Sequence, residues 1–145
     1  MQWTLEVVQV PVADVDRATA FYADGLGFAV DFDVSTGTGV RFVQLTPPGS
    51  GCSIHLSSGG PHGMAPGSQR GLILVVPDVR QAHAELTARG VACSDVVVVG
   101  RDGTSRPARD DDDLDNVGLV NLGDPDGNRW TLQQLPDWSA DAQQG

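Results

Sequence analysis

Two stretches of the chain share one pattern: a short apolar strand, an aspartate, then apolar residues at helical spacing. They are VQVPVADVDRATAFYADGLGF from Val8 and LILVVPDVRQAHAELTARGV from Leu72, an offset of 64 residues. At that offset Val10 matches Leu74, Val12 matches Val76, Asp14 matches Asp78, Val15 matches Val79 and Ala18 matches Ala82, while Tyr22 falls on Leu86. The pattern predicts a buried strand ending at Val12 or Val76, followed by a helix whose free backbone N–H groups are capped by Asp14 or Asp78. Ala18, Phe21 and Tyr22 would form the apolar face of the first helix, and Val79, Ala82 and Leu86 that of the second. Gly25 and Gly27 end the first helical region and Gly90 the second.

Strand-like runs follow each helix. In the first half they are FAVDFDV, VRFVQLTP and CSIHLSS; in the second, ACSDVVVV, VGLVNLGD and RWTLQQL. Each half therefore reads strand, helix, strand, strand, strand, which predicts an α+β fold of two βαβββ modules. Their curved mixed sheets would surround a cleft, with the helices outside. The predicted division is a single domain over 1–136, with module one at 3–57, a Gly/Ser/Pro-rich linker at 58–70 and module two at 71–136. The tail at 137–145 is expected to be flexible. A second irregular stretch, GRDGTSRPARDDDDLDN, lengthens the second module and is expected to be a solvated, flexible loop. Neither half could bury its helix and its sheet well alone, and a pseudo-symmetric seam between two such halves favours a small-molecule site.

Composition narrows the partners. The 145 residues are 40% hydrophobic, enough for one core, and carry a net charge of −10. That charge argues against nucleic acid, which needs clustered Lys and Arg, and against an anionic membrane surface. No apolar run approaches the roughly 20 residues that span a bilayer. The start, MQWTLEVVQVPVADVD, lacks the basic-then-apolar pattern of a signal peptide, so a cytoplasmic protein is expected. Cys52 and Cys93 are then expected to be reduced, buried and inert thiols.

The motif VPVADVDRATAFYADGLGF, its echo LVVPDVRQAHAELTARGV and the closing DPDGNRWTLQQL, in this order and spacing, resemble the vicinal oxygen chelate superfamily. That family includes glyoxalase, extradiol dioxygenases and bleomycin-resistance proteins. The resemblance covers residues 3 to 136 and implies a glyoxalase/bleomycin-resistance-like fold, a homodimer, and four inner-strand positions that supply metal ligands in the metal-dependent members. Mapped onto this sequence, those positions fall at Val7, His55, Gly71 and Thr131. Of the four, only His55 is a good ligand, whereas a catalytic divalent ion generally takes about three. A shift of register could add Gln9, which shares the strand parity of Val7.

The expected function is therefore binding or sequestration of a small organic molecule in the inter-module cleft, with no cofactor. The ligand-contacting residues would be Val7, Gln9, His55, Gly71, Arg129, Thr131 and Gln133. Arg129, Thr131 and Gln133 alternate with Trp130 and Leu132, which are expected to pack against a helix. His55 is the one candidate for a general base or a metal ligand. The alternative is a lyase, isomerase or dioxygenase of the glyoxalase type that uses Zn, Ni, Fe or Mn. A third reading is a dimeric scaffold without a ligand. Tyr22 and Phe21 read as core, His83 as surface, and His62 as part of a mobile linker. The Asp110 to Asp113 run has no calcium-loop spacing. Asp124 and Asp126 read as turn-formers, and Trp3 and Trp138 as terminal packing or a pocket cover.

Overall fold

The computed structural model describes residues 1–59 and 62–135. Trp138 and the tail at 137–145 lie outside the described residues. The chain forms two compact units. The first comprises residues 1–70 together with Asp124–Asn128, and the second residues 71–123 and the chain from Arg129.

In the first unit, strand β1 (Val7–Pro11) leads into helix α1 (Val15–Ala20), followed by strands β2 (Ala29–Ser35), β3 (Arg41–Thr46) and β4 (Ser53–Ser57). The sheet order is β1-β4-β3-β2, with β1 parallel to β4 and the remaining pairs antiparallel. In the second unit, β5 (Leu72–Val76) leads into α2 (Val79–Ala88), followed by β6 (Val97–Val99), β7 (Ser105–Pro107), β8 (Gly118–Gly123) and β9 (Arg129–Gln134). Its order is β5-β9-β8-β6-β7, again with one parallel pair, β5 with β9. Both sheets are thus mixed and follow the βαβββ pattern, with β7 added to the second.

The repeated aspartates do the same work in both units. The Asp14 carboxylate accepts from Arg17 N and that of Asp78 from Gln81 N, each at 3.0 Å. Such a cap stabilises a helix by about 1 kcal/mol. One face of the first sheet, with Val10, Val43, Leu45, Ile54 and Leu56, is buried along with Ala18 and Tyr22. In the second, Val120, Leu122, Trp130 and Leu132 are buried, and α2 lies against β8 and β9. This agrees with the alternation read in RWTLQ.

Three local expectations change. The first α-helix stops at Ala20, and the chain continues as a π-helical turn, Phe21–Gly25, before Leu26 N donates to Phe21 O at 3.2 Å. The strand expected in ACSDVVVV is only Val97–Val99. Upstream of it, the Ser94 hydroxyl takes the Asn121 N–H at 2.9 Å, where a ladder carbonyl would otherwise accept it. His83, expected on the surface, is half-buried.

The acidic stretch expected to be a solvated, flexible loop is exposed at Asp110, Asp111 and Asp113, with local structure added to it. It contains β7, and Leu114 is buried within it. The Asp112 carboxylate grips the Arg106 guanidinium through two 2.8 Å bonds and also accepts from Arg109 N. The Arg106 bond, aided by the Arg109 N–H, holds the Asp112 carboxyl well below the usual carboxylate range. A depressed folded-state pKa contributes stability above the unfolded value and loses it as pH falls through the folded one. The Arg106 guanidinium resonances should therefore stay fixed as pH passes about 3.9, where an ordinary Asp protonates. They should move only in stronger acid, or at once in Asp112→Asn. A midpoint at the ordinary value would show that the pair is not formed.

Candidate functional site

The polar face of the first sheet is built by strand register. Gln9 on β1 lies opposite His55 on β4, His55 lies opposite Gln44 on β3, and Gln44 lies opposite Phe32 on β2. Residues paired across neighbouring strands share a face. Ile54 and Leu56 point into the core, so His55 must point away from it. It is half-buried, as are Gln9 and Gln44.

A directed chain of hydrogen bonds runs across this face. Asp31 sits at the irregularity between Val30 and Phe32 and accepts from Gln44 Nε2 at 3.0 Å and from Thr46 Oγ1. Those two bonds, Thr46 first and Gln44 second, lower the Asp31 pKa. Gln44 Oε1 meets His55 Nε2 at 2.9 Å, and Gln9 Nε2 lies 3.5 Å from His55 Nδ1, a long contact. Aromatic rings frame the imidazole. Phe42 stacks against it with centroids 5.8 Å apart and planes 7° apart, and Phe32 meets it edge-on at 6.0 Å. Phe32 is 40% exposed on an edge strand that is exposed along its whole length.

The residues singled out from the sequence are placed as follows. Val7 lies opposite Ser53, two positions along β1 from Gln9, so Gln9 and not Val7 faces His55. Gly71 lies one residue ahead of β5, and the position opposite Thr131 is Ile73, which is exposed. Thr131 Oγ1 donates to Asn121 Oδ1 at 2.8 Å, and Gln133 Nε2 donates to Asn116 O at 2.8 Å. Arg129 is exposed at the start of β9, opposite Gly123. The first unit thus brings Gln9 and His55 together, and the second aligns Arg129, Thr131 and Gln133 on one face of β9.

The sequence reading missed Asp31, Phe32, Phe42 and Gln44. The signal was present in VRFVQLTP, where Phe42, Gln44 and Thr46 alternate with the buried Val43 and Leu45. It also missed that His62 is held, since its Nδ1 accepts from Met64 N and its Nε2 meets Ser57 Oγ, both at 2.9 Å. Burial is the main force pushing the thiols of Cys52 and Cys93 above their ordinary value, which disfavours a reactive thiolate at either.

The donors do not fit the divalent ion that the resemblance implies. Among the described residues there is no group of three or more His, Cys, Asp and Glu side chains able to hold a metal. Among these residues His55 stands without a second imidazole, thiolate or carboxylate ligand beside it, its Nε2 is taken by Gln44, and Ile73 offers no ligand atom.

The chain belongs to the Glyoxalase/Bleomycin resistance protein/Dioxygenase superfamily, whose model matches residues 4–132. Solved structures agree. TnmS3, an antibiotic binding protein from Streptomyces sp. CB03234, is 31% identical, with 92% of this chain and 97% of that chain covered and a TM-score of 0.70. A glyoxalase/bleomycin resistance protein from the same Streptomyces strain is 32% identical, covering 90% of this chain and 100% of that one at a TM-score of 0.68. A superfamily member from Sphaerobacter thermophilus DSM 20745 is 27% identical, covering 92% and 98% at 0.71. No curated protein matches the chain. Among the described residues no helix is long and apolar enough to cross a membrane.

Proposed function

We propose that this protein binds a small, planar organic molecule on the polar face of its first sheet, holding it without a metal and without transforming it. The observation that carries this reading is the imidazole of His55. It is held at Nε2 by Gln44, stacked on Phe42, and flanked by the exposed ring of Phe32. An aromatic surface with a few oriented polar groups suits stacking against a flat ligand. Nε2 is committed to Gln44 at 2.9 Å, which leaves Nδ1, with only a long contact to Gln9, as the ring's one open position. A net charge of −10 favours a neutral or cationic ligand over an anionic one. That TnmS3, 31% identical, is an antibiotic binding protein supports a small organic ligand.

Thermal denaturation of the whole chain tests the reading. Added zinc, nickel, iron(II) or manganese should leave Tm unchanged, and protein purified without chelator should carry less than stoichiometric metal. Neutral or cationic planar aromatic compounds should raise Tm. In Phe32→Ala the affinity for a stabilising compound should fall about tenfold, the worth of one aromatic pair. A metal-dependent rise in Tm with stoichiometric metal would instead favour a glyoxalase-type enzyme.

A further inference from the structure

We infer that the face around His55 selects ligands that carry a hydrogen-bond donor, such as a phenolic hydroxyl or a ring N–H, and that Asp31 imposes this selectivity from a distance. The inference rests on the binding reading above and adds the chemistry that the face accepts.

Polarity follows from the order of the bonds. Asp31 is held as a carboxylate by its two donors and can only accept. Gln44 must therefore turn its NH₂ toward Asp31, which leaves its carbonyl oxygen facing His55 Nε2 at 2.9 Å. An amide oxygen only accepts, so Nε2 carries the proton, and in the neutral ring Nδ1 is then the lone pair that faces Gln9 Nε2. Thr46 spends its single hydroxyl proton on Asp31, so Ser53 Oγ, 2.6 Å from Thr46 Oγ1, is the donor of that pair. Every bond near the imidazole thus points toward one carboxylate, and turning the amide over would set its NH₂ against Nε2–H and its oxygen against Asp31.

The far end of the relay is the weak one. Gln9 Nε2 lies 3.5 Å from Nδ1, at the outer limit of a hydrogen bond. A ligand O–H or N–H can displace it, whereas a ligand acceptor would meet a lone pair. Phe42 and Phe32, beside the ring, would stack the ligand's plane while its donor reaches Nδ1. Asp31 is a positioning residue in this scheme, acting only through Gln44 and His55.

The test uses naphthol and its methyl ether as probes on the full chain, with ring ¹⁵N spectra of His55 recorded first in the free protein. The spectra should show Nε2 protonated and Nδ1 bare, and Asp31→Asn should shift that balance, because an amide can turn either way and releases Gln44. Gln44→Leu, which removes the acceptor at Nε2, is the second variant should the first fold poorly. Naphthol should bind about fivefold more tightly than the ether, the factor of one net neutral hydrogen bond. The advantage should vanish in either variant while the ether's affinity holds. Equal affinities in the unaltered protein, a preference that survives both variants, or a proton found on Nδ1 would each overturn the inference and leave the binding face standing. If neither probe moves the Phe32 and Phe42 resonances, the binding reading fails, and the donor selectivity built on it fails too.

Discussion

Replacing Asp124 with alanine should destabilise the first unit by about 3 kcal/mol or more, because it strands several buried donors at once. The carboxylate is the hub of the Asp124–Asn128 turn. Its Oδ1 accepts from Asp126 N and Asn128 N, both at 2.9 Å, and its Oδ2 from Tyr22 Oη and Asn128 Nδ2, both at 2.7 Å. Asp124 is 6% exposed, while Tyr22 and Asn128 are fully buried, so water cannot take over these bonds. Asn128 Nδ2 also donates to Pro11 O at 2.8 Å, which extends the loss into the end of β1. Tyr22→Phe is the control. It removes one donor and leaves Asp124 the other three, so it should cost about 1 kcal/mol. Urea denaturation followed by circular dichroism distinguishes the two, and an alanine variant within 1 kcal/mol of the unaltered protein would refute the hub.

That hub shows what could and could not be read from the sequence. The two capped helices were legible because a cap is local: Asp14 and Asp78 act on backbone three residues away. The strands were legible because alternation depends only on which face is buried, as Ile54, Leu56, Trp130 and Leu132 confirm. DPDGN was legible as a turn, since Asp124 bonds within it. Its attachment to Tyr22, 102 residues earlier, was not, because nothing in a turn's own residues names a distant partner. The same reason hid the relay on the site. His55 stood out as a lone imidazole between buried neighbours, but its partner Gln44 comes from β3, and Asp31 behind Gln44 sits at an irregularity in β2 that no periodicity announces. In the acidic loop, Asp110, Asp111 and Asp113 are exposed as the run of like charges suggests, and only the pairing of Asp112 with Arg106 escaped the reading.

Gly67→Ala should be as damaging as the loss of Asp124, for a reason that lies wholly in the backbone. Gly67 has φ of +78°, a region that costs an ordinary L-residue about 1–2 kcal/mol. A Cβ there would also stand 2.0 Å from Asp126 O and 2.9 Å from Asp126 C, both backbone atoms that no rotamer change can move aside. Either the linker or the turn must shift, and both are held at that spot. Gly67 N donates to Pro11 O at 3.0 Å, Arg70 Nη1 donates to Gly67 O at 2.6 Å and Gly127 O at 3.1 Å, and Gln69 N donates to Asn128 Oδ1 at 3.0 Å. Strain and broken bonds together should exceed about 3 kcal/mol. Gly63→Ala separates the two contributions, because Gly63 has φ of +67° and open space where a Cβ would go. It should cost only the strain, about 1–2 kcal/mol. The displacement should also reach the site. Gln69 Nε2 donates to the main-chain oxygen of Gln9 at 2.8 Å, and it is Gln9 that closes the relay at His55 Nδ1. A shifted linker should therefore move the His55 ring signals in Gly67→Ala and leave them in place in Gly63→Ala. Equal destabilisation by the two variants would mean that close approach to the turn contributes nothing.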